Sequence, residues 1–535
     1  MQRATGFFLP VAAAIVAAWW WLGLPVAMPP SPLAQDEKLP CASYTPFRLA
    51  QSFGEFTPPA TAELIEADLT VLSGVTTCLR TYSTGLGVDQ VPAIARRHGM
   101  TVLLGIWLGR NPADNRKEID TAVKLAHDFP DVVRMIVAGN EVLLRGEMSP
   151  ETLAGYIREV KRQVAQPVTY ADVWEFWLRN RPVAQAVDLV TVHMLPYWED
   201  IPIAASDATA HVEAVRKLVA DAFPGKDILI GETGWPSAGR MREGALPSPA
   251  NAQRFIQDMM AAAKRGGYRI NIIEAIDQPW KRQFEGTVGG YWGLIGADGS
   301  TVKFAWGMPV SNHPRWRVQA GVGVAFAGMI FAIALAFRRR EPPPQRTDRW
   351  ISVAVIALGA GTLIGWTVEN GLIESLGPVG WAMSLIITAL AILAPLAGAA
   401  ALMSGIAPAP FAALLGGAPP PDIRLAQWLG ALAIALCVVA VAVALGLAFD
   451  PRYRDFPFAP LTAAAVPYVV LALFGQTPPS RGLAESLAAA VLALSALFIA
   501  WNEGIANWQS LWLCGVFLAL AVTLFGVPAA RRQGS

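Results

Sequence analysis

Two hydrophobic patterns divide the chain. From about Cys41 to Pro309, short apolar runs rich in β-branched residues alternate with longer amphipathic stretches; beyond Val318, apolar runs of membrane length follow one another with charges confined to brief breaks. In the first region the runs start at Cys41 (CASYTPF), Val75 (VTTCLRTYS), Thr101 (TVLLGIWLG), Val132 (VVRMIVAGNEV), Pro167 (PVTYADVW), Val187 (VDLVTVHML), Asp227 (DILIGETGW) and Ile270 (INIIEAIDQPW). Helical patterns such as TAELIEADLTVL and SPETLAGYIREVKRQV lie between them, the latter opening on Ser149-Pro150-Glu151 as a helix start does. Strand then helix, eight times in about 250 residues, predicts an α/β fold, a closed (β/α)8 TIM barrel, in preference to an open doubly wound sheet. No Gly-x-Gly-x-x-Gly turn follows the first strand, so a dinucleotide-binding fold lacks its main signal.

The second region predicts an all-α bundle of about seven transmembrane helices: Val318–Phe337, Ile351–Val368, Trp381–Met403, Leu425–Phe449, Ala459–Gly475, Leu483–Trp501 and Trp508–Val527, each near the ~20 residues that cross a bilayer. An uncharged stretch from Phe7 to Met28, with Trp19-Trp20-Trp21 and no small-x-small cleavage site, reads as one transmembrane anchor ahead of the barrel in preference to a signal peptide. The expected division is an anchor at 1–29, a Pro-rich linker at 30–40, the barrel at 41–310 and the multi-span region at 311–535. Arg338, Arg339, Arg340, Arg346 and Arg349, then Arg424, Arg481, Arg531 and Arg532 fall on alternate breaks, which makes those breaks cytoplasmic and puts the barrel on the outer face. The expected location is therefore the bacterial inner membrane, multi-pass, with the barrel on the periplasmic side. Glu485 lies near a span end, from where it is expected to reach the interface.

Composition agrees with this division: 54% of the 535 residues are hydrophobic and 16% charged. A net charge of +1 without a basic, aromatic-interleaved stripe leaves nucleic acid out as a partner. Of four cysteines, Cys437 and Cys514 sit in spans as apolar residues. Cys41 and Cys78 fall on neighbouring strands in an exported region, where a bridge is open if their Cβ directions agree. No cofactor is implied. His193 with His98, His127 or His211 gives no metal-ligand spacing.

In a (β/α)8 barrel, residues at the carboxyl ends of the strands gather at one mouth. Those residues here are Tyr82, Trp107, Glu141, Asp172, His193 with Tyr197, Glu232, and Asp277 with Trp280. Glu141 and Glu232 each end a very apolar strand, and two carboxylates facing one mouth are what glycosidic bond cleavage needs: one protonates the leaving oxygen, the other attacks or activates water. Sugars present apolar CH faces, so aromatic platforms belong beside them; Trp174, Trp177, Trp198, Trp235, Trp280, Tyr291 and Trp292 are available. The alternative for Glu141 is a strand-end ion pair with Arg145. For Asp172 a substrate contact and a buried carboxylate paired with Arg179 stand equal.

The stretches GNE at 139–141, LPYW at 195–198, GETGWPS at 231–237 and DQPWK at 277–281 resemble the family 17 glycoside hydrolases, and among them the bacterial branch tied to membrane-bound β-glucan synthesis, including rhizobial β-1,3/β-1,6-glucan proteins. The likeness covers roughly Cys41 to Trp306 and none of the spans. It implies a retaining enzyme with Glu141 as acid/base and Glu232 as nucleophile. It further implies that Asn140 binds the 2-hydroxyl of the transferred sugar, that Tyr82 and Tyr197 orient the nucleophile and line its subsite, and that Trp280 stacks on glucose. Glu274, Lys281 and Glu285 would fill the charged cluster that other members carry after strand eight.

The expected function is a membrane-anchored retaining transglycosylase that elongates, branches or cyclises β-1,3-glucan. The alternatives are an endo-1,3-β-glucanase that hydrolyses it and, more remotely, a non-catalytic glucan-binding or export component, against which two carboxylates at one mouth argue. Synthesis from a nucleotide donor is disfavoured, because QRTDRW at 345–350 is one residue out of register with the Gln-x-x-Arg-Trp element of processive synthases. Expected partners are the glucan, the lipid bilayer and a separate glucan synthase.

Overall fold

The computed structural model of the chain describes residues 2–47, 58–338, 343–416, 423–474 and 482–525. It divides into two compact units, one formed by Met1–Pro25 with Ser311–Ser535 and the other by Val26–Val310.

In the second unit eight parallel strands close into a barrel in chain order: β1 Ala42–Ser43, β2 Cys78–Arg80, β3 Thr101–Ile106, β4 Val133–Asn140, β5 Val168–Val173, β6 Val190–His193, β7 Ile228–Thr233 and β8 Arg269–Ile272, the last pairing with β1 through Ile272 and Ala42. All eight expected runs supply a strand. The intervening helices begin where the sequence offers caps: the Thr61 hydroxyl accepts from the Leu64 N–H, Asn111 from Ala113, Ser149 from Thr152 and Ser248 from Asn251. Each satisfies a backbone donor the first helical turn leaves open.

Alternation along the strands sorts the side chains. Cys41, Cys78, Leu103, Met135, Val137, Ala171, Leu189 and Leu229 form one small buried cluster inside the barrel, while Leu79, Leu104, Ile136, Val192 and Ile230 belong to the larger core under the helices. Cys41 and Cys78 are joined in a disulfide within the inner cluster, so the geometry left open by sequence is met. Leu39, upstream of β1, is wholly buried and pairs with Thr76. Residues 30–40 are therefore packed on the barrel at least at their carboxyl end.

The first unit is helical. Among the described residues six helices are long and apolar enough to cross a membrane: Ala4–Leu22, Trp316–Ala336, Thr347–Glu374, Gly377–Ser404, Arg424–Phe449 and Leu483–Glu503; Phe458–Leu473 and Trp508–Leu524 are apolar but shorter. Each expected span thus overlies a helix. Pro395 and Pro467 lie inside two of them, as apolar bundles tolerate. A Cβ on Gly323 would stand 2.3 Å from the Gly361 carbonyl oxygen, so two helices approach backbone to backbone as small-residue interfaces allow. Glu485 does not reach outward: it is buried, and its carboxylate accepts from the N–H groups of Phe411 and Gly482, both at 3.0 Å. It caps two helix starts. Of the arginines that set the expected orientation, Arg339, Arg340, Arg481, Arg531 and Arg532 lie outside the described residues.

Candidate active site

The backbone is irregular where the strands carry the two glutamates, and on β7 this irregularity aims Glu232. With Leu229 facing inward, strict alternation would turn Glu232 outward, but pairing slips between Ile230 and Thr233 against β8 and between Val192 and His193 against β6. A slip of this kind re-aims a side chain. On β4, with Val137 inward, pairing slips between Val137 and Asn140. Gly139 there has φ +95°, and a Cβ on it would meet Val142 at 2.9 Å; no other residue fits that turn without strain. Glu141 itself has φ +51°, a conformation that costs a non-glycine residue on the order of 1 kcal/mol or more. Its N–H donates to Ala171 and its carbonyl accepts from Arg145, both at 2.8 Å, which holds the residue there.

The result is a compact charged centre. One donor atom from each of Glu141, His193 and Glu232 lies within 4.8 Å of the other two. His193 stands between the carboxylates, with Nδ1 2.9 Å from Glu141 Oε1 and Nε2 3.6 Å from Glu232 Oε1. Glu232 is buried and receives Arg80 Nη1 at 2.7 Å and the Tyr82 hydroxyl at 2.8 Å. Arg80 also donates to the Gly231 carbonyl and to Asn140 Oδ1. With its oxygen so engaged, the Asn140 amide keeps its NH2 as the available donor. Burial works against a charge on Glu232, but the neighbouring His193 and Arg80 and the Tyr82 hydroxyl outweigh it and hold the carboxyl below its ordinary value. Tyr82 is pushed well above its own, by burial first and by the Glu232 charge second, so it stays a neutral donor.

The expected cluster after β8 assembles. Lys281 Nζ lies 2.6 Å from Glu274 Oε2. Burial opposes the Lys281 charge, yet Glu274 and Glu285 around it raise its pKa above the usual lysine value. Burial lifts Glu274 to about 7 despite Lys281. It also lifts Glu285, to which the charges of Glu141 and Glu232 add. Trp280 is half-buried and donates its indole N–H to Gln278 Oε1 at 2.6 Å.

Several expectations are corrected. Arg145 pairs with Glu147 at 2.9 Å, not with Glu141, because its guanidinium is drawn to the carbonyls of Asn140 and Leu108. Asp172 is wholly buried, takes the Tyr170 hydroxyl and the Val173 and Leu144 N–H groups, and is not a sugar contact; Arg179 lies over Phe176 instead. Asp172 ties down the loop after Glu141 through the Leu144 N–H and interacts through charge with Glu141 and His193. Burial raises it to about 6, partly offset by Tyr170. Tyr197 is also fully buried, with its hydroxyl donated to the Arg240 carbonyl at 2.9 Å, so it braces the β6 loop and does not line the cavity. Trp177 and Trp235 pack behind the strands against Phe223 and Phe255, and Trp292 is buried too. Asp277 is held by Lys303 at 2.8 and 3.0 Å. Arg80 is the residue that sequence reasoning missed; the signal was a lone cation within an apolar strand, two positions above inward-facing Cys78.

By donor type Glu141, His193 and Glu232 would suit a divalent cation, but hydrogen bonds to one another, to Arg80 and to Tyr82 already account for their arrangement. With an oxygen of each carboxylate within 4.8 Å of the other, the pair is nearer the ~5–5.5 Å spacing of retaining glycosidases than the ~6.5–9.5 Å of inverting ones.

Residues 41–293 match the family described as the BtgE/BtgC glycoside hydrolase domain. The chain is 26% identical over 272 residues to a protein named probable glucan endo-1,3-beta-glucosidase btgC from Aspergillus clavatus, covering 46% of this chain and 39% of that one. It is 30% identical over 237 residues to a protein named glucan 1,3-beta-glucosidase from Schizosaccharomyces pombe, covering 40% of this chain and 72% of that one. It thus spans about two fifths of the length of the Aspergillus relative. A solved structure described as a glycoside hydrolase family 17 beta-1,3-glucanosyltransferase from Rhizomucor miehei is similar at 26% identity and a TM-score of 0.45, covering 50% of this chain and 96% of that one.

Proposed function

The chain belongs to the family 17 glycoside hydrolases, and from that membership we propose that it is a membrane-anchored retaining transglycosylase acting on β-1,3-glucan. The observation that carries the proposal is the Glu141–His193–Glu232 group at the mouth, with one carboxylate ionised and locked by Arg80 and Tyr82 and the other partly exposed beside it. In the first step Glu232 attacks the anomeric carbon while Glu141 gives its proton to the departing glucosyl oxygen, and the electron pair of the broken bond leaves with that oxygen. In the second a sugar hydroxyl or water attacks, Glu141 takes its proton, and Glu232 recovers its electron pair. Asn140, its oxygen fixed by Arg80, offers its NH2 to the 2-hydroxyl of the bound glucose. Trp280 and the Glu274–Lys281–Glu285 cluster hold sugar on the β8 side.

Transfer is preferred to hydrolysis because the GNE, LPYW, GETGWPS and DQPWK stretches resemble the bacterial branch tied to glucan building. The hydrolase names of the fungal relatives support the second reading, an endo-1,3-β-glucanase. Six helices of membrane length among the described residues support anchoring, and the alternation of arginine-bearing breaks supports a barrel on the periplasmic side of a bacterial inner membrane; a separate glucan synthase is the partner that a glucan-building role calls for. Full-length protein in detergent, fed linear β-1,3-glucan oligosaccharides, tests the proposal: longer, β-1,6-linked or cyclic products are expected, and shorter products alone would assign the chain to hydrolysis.

A further inference from the structure

Among the described residues Trp107 is the most exposed tryptophan of the barrel unit, at 42%. It follows β3 directly, between β2, which leads to Tyr82, and β4, which ends on Asn140. Its placement is rigid. The backbone N–H donates to Glu118 Oε2 at 3.1 Å, and that carboxylate also takes the Thr84 N–H at 2.8 Å, so it ties the loops after β2 and β3 together. The Arg145 guanidinium lies 4.2 Å from the indole centroid. Arg145 is itself pinned to the Asn140 carbonyl, to the Leu108 carbonyl at 2.8 Å and to Glu147 at 2.9 Å. One face of the ring is therefore backed by a fixed cation joined to the segment that carries Glu141. A large flat apolar surface held this firmly next to water suits an apolar sugar face.

We propose that Trp107 is the platform for the glucosyl unit one position beyond the sugar that becomes attached to Glu232, and that it selects for a β-1,3 link between the two. This rests on the reading of Glu141, Glu232 and Asn140 given above. In a β-1,3 chain the next glucose hangs from O3, the neighbour of the 2-hydroxyl that Asn140 receives. Arg145 joins the Asn140 carbonyl to the indole of Trp107, and we place O3 and the next sugar on this β3 side of the 2-hydroxyl. A β-1,4 chain leaves from O4, one carbon further round the ring, and is carried away from the indole.

Three dinitrophenyl donors test this with the full-length protein: the glucoside, the β-1,3-linked disaccharide and the β-1,4-linked disaccharide. The readout is the kcat/KM ratio of each disaccharide to the glucoside, which does not depend on the fraction of a variant that is folded. Trp107→Ala should lower the β-1,3 ratio about tenfold, the order expected for one lost aromatic contact, and leave the β-1,4 ratio unmoved; Trp107→Phe should restore most of the loss. An unchanged β-1,3 ratio, or an equal fall for both disaccharides, would overturn the proposal. Wild-type protein that releases dinitrophenol from none of the donors would overturn the catalytic reading beneath it as well.

Discussion

Arg80 Nη1 lies 2.7 Å from Glu232 Oε1, with the two side chains 1% and 6% exposed. Two opposite charges removed from water in this way compensate each other, and removing one strands the other at a cost of about 3–5 kcal/mol. Arg80→Met should therefore lower the unfolding free energy of the barrel by about that amount and abolish glucan turnover. The double variant Arg80→Met/Glu232→Gln should recover part of the stability and none of the activity. A double variant no more stable than the single one in denaturant titration would show that the pair is not coupled as described.

Asp172 and Glu274 give the fold an acidic preference. Their ordinary values are 3.8 and 4.5, and burial raises them to about 6 and about 7. Between the ordinary and the raised value the folded state binds more protons than the unfolded one, so stability falls as pH rises through each window. Glu232, held below its ordinary 4.5, acts in the opposite sense, with its contribution lost only as pH drops below that value. Thermal unfolding followed by near-ultraviolet dichroism should show a decline toward neutral pH. Asp172→Asn should flatten the decline from pH 3.8 to about 6 and Glu274→Gln from 4.5 to about 7; unaltered slopes would contradict these assignments.

The barrel was legible because each buried strand is a short β-rich run bounded by polar helices, one of which opens visibly on Ser149-Pro150-Glu151. Glu141 and Glu232 were legible as carboxylates ending such runs. What failed was side-chain direction near the strand ends: Asp172 lies within β5 and alternates outward from inward-facing Ala171, while beyond the strands no period of two governs which way a residue faces. Tyr197 and Asp172 sit next to the mouth in sequence and point into the packing behind it, and Trp177 and Trp235 do the same. Arg80 failed differently: inside a strand its long-range partners Asn140 and Glu232, far away in the chain, become neighbours only when the sheet closes.

Trp280 is half-buried, its N–H is fixed by Gln278, and Lys281 stands 5.9 Å from its ring. Trp280→Ala should weaken binding of β-1,3-glucan oligosaccharides by about 1–3 kcal/mol without abolishing turnover. Titration calorimetry in a Glu232→Gln background isolates the binding. Unchanged affinity would remove Trp280 from the sugar-binding surface.

The topology is testable apart from the chemistry. Protease applied to intact spheroplasts should cut loops of the barrel while the segment from Arg338 to Arg349 stays protected until the membrane is permeabilised. A protected barrel would invert the orientation.

The assignment of Glu141 and Glu232 to separate roles is tested most directly by azide rescue on a dinitrophenyl β-1,3-glucosyl donor, whose leaving group needs no proton. Glu141→Gln should still form the glucosyl-enzyme and then stall, and azide, which needs no general base, should restart it and give a β-configured glucosyl azide because two inversions restore the configuration. Glu232→Gln should remain inactive with or without azide. An α-configured azide product, or rescue of Glu232→Gln in place of Glu141→Gln, would contradict the retaining mechanism and the roles given to the two carboxylates.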